Sequence, residues 1–246
     1  MLSSSPIEKI DQSLLKEAIQ KGHSGNISKD TKLTVRKISF QEFQDKSDLT
    51  PEENDFFGNA KSLTFSRIEG YNFPPHSRFS VYRVRMDKSI SFVDYYTASE
   101  NGQLNLPLVH QGFMQGEGVS FIFVSEDGGS YIAETLFPNP IETSWEDGAY
   151  LVIQMMDFDT FCLKGKNFDP GEQLKFTSIS CGERLSYSVH VNKSGISDTQ
   201  LLLPAVTGQK GGKAVLKIER VATKQSRELT YFWGTEAKKT TNRTNQ

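Results

Sequence analysis

Three observations predict a mainly β protein, two tandem β-sandwiches preceded by a short α-helical N-terminal segment. Two series of short strand-like runs, punctuated by turn residues, fill the chain from residue 62 to 233. The stretch "GYNFPPHSRFSV" at 70–81 returns as "GKNFDPGEQLKF" at 165–176, 95 residues later. The longest apolar run, "AYLVIQMM" at 149–156, is strand-sized and far below the ~18–20 residues of a membrane helix.

The first element reads as helix. Ser5 and Glu8 form a capping box, and Pro6 has the fixed φ that suits a first helical position. Ile7, Ile10, Leu14, Leu15, Ala18 and Ile19 then recur at helical spacing, and Gly22 is a terminator. Residues 23–31 read as a loop and "KLTVRKISF" as a strand. A second capping box, Thr50-Pro51-Glu52-Glu53, opens a short helix with Phe56 and Phe57. The expected division is 1–61 as a helical and strand segment, 62–148 as the first sandwich, 149–235 as the second, and 236–246 as a disordered tail.

Within the repeat, Gly70 matches Gly165, Asn72 matches Asn167, Phe73 matches Phe168, Phe79 matches Leu174 and Phe121 matches Leu216, each 95 apart. "NLPLV" at 105–109 also matches "LLPAV" at 202–206, displaced by 97. About seven strands in such a period is the size of an immunoglobulin-like sandwich. In the Gly-x-Asn-Phe-x-Pro element, Gly admits backbone closed to other residues, Asn can bond its own backbone, Phe anchors the core and Pro stops the strand. These are the parts of a strand corner.

The C-terminal copy, with "GKNFDPGEQLKF", Gly195, "LLLPAV" and "GGKAVLKIERV", resembles bacterial immunoglobulin-like modules of the filamin and IPT type over 160–234, and the first copy does so over 64–138. The resemblance implies a β-sandwich, a binding or spacer role and an envelope or surface setting, with no catalytic residues to carry over. The first copy departs from it at Pro75, His76 and Ser77, where the second has Pro170, Gly171 and Glu172.

The copies differ in their patterning. "RLSYSVHV" alternates as a strand with one solvated face, whereas "SISFVDYY", "RFSVYRVR" and "GVSFIFVS" are apolar on both faces. Something should therefore cover the outer face of the first sandwich. The N-terminal helix is the nearest candidate and a binding partner the second.

Composition narrows the chemistry. Lys and Arg (28) nearly balance Asp and Glu (30), and the net charge of -2 supplies no field for nucleic acid or an anionic membrane. The start "MLSSSPIEKI" carries no leader pattern, so the chain is either cytoplasmic or a signal was removed before it; the family resemblance favours an extracytoplasmic site. Two cysteines, Cys162 and Cys181, are too few for a disulfide scaffold or a thiolate zinc site. They would face each other if "GKNFDPGE" were a hairpin, which makes a cross-strand disulfide an open alternative to two free thiols.

The three Asn-x-Ser/Thr triplets, at Asn26, Asn192 and Asn242, read as chance. His23, His76, His110 and His190 show no metal spacing, and "GQKGGKA" is one residue short of a phosphate loop. No catalytic residue or cofactor is expected. Asp157 and Asp159, at the expected junction, are the candidates for a cation, although two carboxylates fall short of a hard-cation shell. Tyr95, Tyr96 and Trp145 are the candidates for stacking on a protein or carbohydrate partner, whereas Trp233 reads as core. The expected function is non-enzymatic binding or scaffolding. The alternatives are a hydrolase that gathers Asp157, Asp159, Glu146 and Asp147 into one cleft, and a passive spacer.

Overall fold

The structure is a computed structural model that describes residues 27–45, 47–60, 63–127 and 129–240, with Glu17 and Gly25. The helix expected at 5–22 therefore lies outside the described residues, apart from Glu17, which is helical. The protein is mainly β, with four antiparallel sheets arranged as two immunoglobulin-like sandwiches. One compact unit comprises Met1–Gln111 and Gly118–Pro138, the other Gly112–Glu117 and Asn139–Gln246.

The first unit contains β1 (Lys32–Ile38), α1 (Phe40–Gln44), α2 (Pro51–Asn59), β2 (Thr64–Tyr71), β3 (Arg78–Val84), β4 (Ile90–Thr97), β5 (Leu104–His110), β6 (Val119–Ser125) and β7 (Tyr131–Leu136). Its sheets run β1-β2-β5 and β4-β3-β6-β7. The capping box of α2 forms as its residue types require: Glu53 N–H donates to the Thr50 hydroxyl at 3.2 Å, and Thr50 N–H to the Glu53 carboxylate at 2.9 Å. The two helices place Phe40, Phe43 and Phe57 against Phe65 of β2, with Ile38, Leu49, Leu63 and Val109 around them. Phe56 is exposed, because adjacent helical positions point in different directions.

The second unit contains β8 (Ile141–Ser144), β9 (Tyr150–Asp157), β10 (Thr160–Lys166), β11 (Gln173–Ser180), β12 (Glu183–His190), β13 (Ser197–Leu202), β14 (Gly211–Arg220), β15 (Gln225–Trp233) and α3 (Gly234–Thr240). Its sheets run β8-β9-β10-β13 and β12-β11-β14-β15. Leu151, Ile153, Phe161, Leu163, Phe176, Leu216, Tyr231 and Trp233 are buried, and Phe161 meets Tyr231 edge-on at 4.9 Å. Trp233 is core, as its alternation predicts, and its indole N–H donates to the Ser180 hydroxyl at 3.0 Å.

Gly112–Glu117 belongs to this unit: Met155 N–H donates to Gly116 O at 2.8 Å, and the Asn139 amide to Phe113 O at 2.8 Å. The strand and helix positions differ from the expected boundaries at two places. Residues 141–144, expected in the first sandwich, pair with Tyr150–Ile153. Residues 236–240 are helical rather than tail, with Ala237 buried and Lys238 Nζ 4.2 Å from the Phe158 ring; residues 241–246 lie outside the described residues.

The repeat is visible strand for strand, β2 to β7 corresponding to β10 to β15 without β12's partner order changing. Phe79 pairs with Ser125 and Leu174 with Arg220, while Arg83 pairs with Phe121 and Ser178 with Leu216, so the 95-residue offset holds across this sheet. It does not hold at "NLPLV". Pro107 pairs with Arg67 and its counterpart Leu201 with Cys162, whereas Pro204 lies beyond β13. The cause is the β3–β4 hairpin, which has a bulge and a five-residue turn where β11–β12 is unbroken with two turn residues.

The repeated element is a corner, built differently from its sequence reading. Asn72 and Asn167, rather than the glycines before them, take the left-handed conformation, at φ 59° and 62°. Their side-chain amides tie down the turns leading into β1 and β9, donating to Asp30 O at 2.9 Å and Gly148 O at 3.2 Å. Gly70 and Gly165 make room for the ring of the following Phe: a Cβ there would come within 2.6 Å and 2.8 Å of Phe73 and Phe168. Those two phenylalanines are buried. Phe73 N–H donates to Gly102 O at 3.0 Å and Phe168 N–H to Gly195 O at 3.1 Å, which fixes the next turn as well.

Because the corner carries the chain from β10 in one sheet to β11 in the other, Cys162 and Cys181 do not face each other. Both thiols are free, Cys162 buried and Cys181 exposed. Cys181 and Gly182 form the β11–β12 turn with φ 46° and 89°, the two left-handed positions of a type I′ hairpin.

Candidate functional site

The residues singled out as binding candidates are largely occupied by their own fold. Tyr95 and Tyr96 lie on β4, both half-buried. Tyr95 packs on Phe92 at 4.9 Å and under the Arg78 guanidinium at 4.5 Å, and burial raises the Tyr96 hydroxyl's pKa.

Trp145 is only 4% exposed, which leaves no ring face for a sugar or partner. It opens a tight turn, with Gly148 N–H donating to Trp145 O at 3.0 Å, and its ring folds edge-on against Phe168 at 5.5 Å. The turn-like composition of "ETSWEDG" conceals this inward rotation.

Polar clusters are likewise structural. Arg220, 1% exposed, receives a bidentate grip from Glu172 at 2.5 and 2.9 Å and a further ion pair from Asp147. The hydrogen bonds it donates to Glu172 and Asp147 push its pKa above the usual arginine value. Asp157 and Asp159 are exposed on the β9–β10 turn, where Asp157 accepts from Phe158 N–H at 2.6 Å. Glu146 and Asp147 lie on the β8–β9 turn, at the other end of β9, so the four carboxylates do not converge. Among the described residues no three His, Cys, Asp or Glu side chains form a metal-holding group. His110 contacts the Ser66 hydroxyl at 2.5 Å, but both are buried inside the first unit, and burial lowers the imidazole pKa to about 4. Buried and neutral, this pair offers no nucleophile to a substrate.

What is accessible and apolar is a groove on the second unit, a cavity of about 360 Å³ lined by Leu185, Tyr187, Leu201, Leu203, Pro204 and Val206, with Glu183 and Arg184 alongside. It opens where β12, the edge of one sheet, runs past β13, the edge of the other. Leu185, Leu201 and Leu203 are 65%, 65% and 70% exposed. Its floor is pinned by Ser180, whose hydroxyl donates to Pro204 O at 2.6 Å while accepting from Trp233. Tyr187 lies against Phe176 at 5.5 Å, with its hydroxyl pKa raised by burial.

β12 is also unlike the other described edges. Edge strands offer unpaired backbone groups, and proteins blunt them with charge, proline, bulges, brevity or cover. β1 carries Lys32, Arg36 and Lys37; β5 contains Pro107; β4 and β13 meet their partners with register shifts. β7 is bridged by Gly25, β8 has four residues, and β15 is flanked by β8 through the bond from Arg227 Nε to Ser144 O at 3.3 Å. β12 holds an unbroken eight-residue register from Glu183 to His190, with no proline and with its charges, Glu183 and Arg184, confined to the turn end. Sequence reasoning read "RLSYSVHV" as an ordinary half-solvated strand and missed the groove. The signal was the unbroken Leu201-Leu202-Leu203: Leu202 turns into the core, so its neighbours must turn out.

No protein-family model matches the chain, and no curated protein matches it. Among solved structures, a tetra-tandem repeat from the extending region of a large adhesion protein aligns over 85% of this chain and 48% of its own, at 12% identity and TM-score 0.26. Salmonella alpha-2-macroglobulin aligns over 85% of this chain and 17% of its own, at 9% identity and TM-score 0.25. A serine-rich repeat protein from Streptococcus agalactiae aligns over 88% and 95%, at 9% identity and TM-score 0.25. The chain thus spans about half the length of the first and under a fifth of the second. At these TM-scores the fold rests on the strand pairings described above. Among the described residues no helix is long and apolar enough to cross a membrane.

Proposed function

We propose that this chain is a non-enzymatic binding or scaffold protein, which holds an extended segment of a protein partner against β12 and in the neighbouring groove. The observation that carries the reading is the coincidence of an unbroken eight-residue edge, charged only at its turn end, with exposed Leu185, Leu201 and Leu203. A strand added to β12 gains main-chain hydrogen bonds, and its alternate apolar side chains enter the groove. The leucine-rich lining favours an apolar, alternating protein segment, and a carbohydrate is disfavoured because Tyr95 packs on Phe92, Tyr96 is half-buried and Trp145 is buried. A setting at the bacterial envelope or surface is the finer part of the proposal, and it rests on the resemblance of the C-terminal copy to bacterial immunoglobulin-like modules.

A labelled heptapeptide of alternating valine and threonine tests it. Binding should slow amide exchange along residues 183–190 and leave β4 unaffected. The double variant Leu185→Arg/Leu203→Arg, at two exposed positions, should remove the response without lowering the melting temperature. Saturating peptide with unchanged exchange at 183–190 would reject the site.

A further inference from the structure

The turn before β12 decides which of its backbone groups are free. Cys181 and Gly182 form a two-residue type I′ loop, so Ser180 and Glu183 on either side of it exchange both main-chain bonds. Leu185, Tyr187 and Val189 repeat that role at every second position. The pattern continues at Val191, whose N–H donates to Glu172 O at 2.8 Å and whose O accepts from Gly171 N–H at 3.0 Å. Arg184, Ser186, Ser188 and His190 therefore turn their N–H and C=O groups away from β11, along the open edge.

The side chains of β12 match what this edge selects. Leu185, Tyr187 and Val189 share the groove face, where the first two line the cavity, while Ser186, Ser188 and His190 are exposed on the other face. β12 is thus itself an apolar, alternating segment with a small polar back. Beside it the Tyr187 hydroxyl is buried with no hydrogen-bond partner among the described residues.

We propose, on the reading of β12 as a strand-accepting edge, that the segment it holds is β12 of a second copy of this chain, paired antiparallel about a two-fold axis at Tyr187. Leu185 of each copy then lies opposite Val189 of the other, and Ser186 opposite Ser188. Apolar residues meet on the groove face, and the four free backbone positions bond in pairs. An axis at Ser186 would set Glu183 against Val189, and one between Ser186 and Tyr187 would turn the two apolar faces to opposite sides. Charge favours the antiparallel sense, which carries Glu183 of each copy toward Lys193 of the other; a parallel pair would set Glu183 beside Glu183 and Arg184 beside Arg184. At the axis the two Tyr187 hydroxyls can satisfy each other. The contact is isologous and covers β12 in both copies, and the other described edges are blunted, so assembly closes at two.

Residue-resolved amide exchange of the full chain at rising concentration, alongside sedimentation equilibrium, tests it. Dimer formation should slow exchange at Arg184, Ser186, Ser188 and His190 by about tenfold, while Leu185, Tyr187 and Val189, already bonded to β11, change little. Ser186→Pro removes an N–H that β11 does not use, and should abolish the dimer with the melting temperature kept. If that variant melts early, Leu185→Arg/Leu203→Arg takes its place. A chain that stays monomeric, a dimer with unchanged exchange at Ser186 and Ser188, or a dimer that survives in the folded variant would overturn the proposal. The valine–threonine heptapeptide, added at a dilution where the chain is monomeric, tells this failure from that of the wider reading. Peptide protection of residues 183–190 in a chain that never dimerises removes only the second copy as occupant, whereas no protection removes the strand-accepting edge as well.

Discussion

At the residue scale, several side chains that advertise chemistry are held for packing, and His110 shows the energetic consequence. Removal from water disfavours the imidazolium, with the Arg83 charge adding to the effect, so the folded pKa falls to about 4. In the unfolded chain the same group titrates near 6.5. Between these values the unfolded state binds the extra proton, so stability is complete above pH 6.5 and is lost as pH falls toward 4. The contribution is about 3 kcal/mol at pH 4. His110→Asn removes the titration while keeping a polar partner for Ser66. Urea unfolding of both proteins from pH 7 to 4 should show the wild-type advantage shrinking by about that amount. Parallel profiles would mean that the imidazole is already hydrated in the folded state. Nothing in the sequence separates His110 from His190, because burial depends on pairing with a distant strand.

At the scale of elements, the corner shows how far a repeat can be read. Its existence, its buried Phe and its role as a strand corner are legible in "GYNF" and "GKNF". The division of labour within it is not, because Gly70 and Gly165 serve the Phe ring while Asn72 and Asn167 make the turn. The supposed hairpin through "GKNFDPGE" failed for a related reason: period-2 patterning marks strands but does not say which sheet each joins. Gly102 and Gly195 complete the corner from the next turn, both at positive φ. A Cβ on Gly195 would come within 2.6 Å of Phe168 O, whereas Gly208, also at positive φ, has open space around it. Gly208→Ala should thus cost only the left-handed backbone penalty of about 1–2 kcal/mol. Gly195→Ala should cost clearly more in thermal melts, since a backbone carbonyl must also move. Equal losses would show that the corner yields without strain.

At the scale of the whole molecule, the sequence-based boundary at 148/149 lies ten residues beyond the structural one at 138/139, and it omits an excursion. The segment Gly112–Glu117 is continuous with β5 and β6, yet its bonds go to Met155 and Asn139 of the second unit. Sequence reasoning overlooked it because "GFMQGE" has no periodicity and interrupts two strands already assigned to the first copy. Gly116 provides the test. Its φ is +78°, and an added Cβ would come within 2.7 Å of Ile141 Cδ1 on β8. Gly116→Ala should therefore loosen β8 and β9, although its flanking strands belong to the first unit. Amide exchange at Ile141, Ile153 and Met155 should accelerate severalfold, as expected when stability falls locally by about 1 kcal/mol, while β2 and β5 keep their protection. Acceleration confined to β5 and β6 would return the segment to the first unit. The same result would make 138/139 a sound place to divide the chain, since each side would then keep its own bonds; the expected result makes that cut unsound, because it strands Gly112–Glu117 away from Asn139 and Met155.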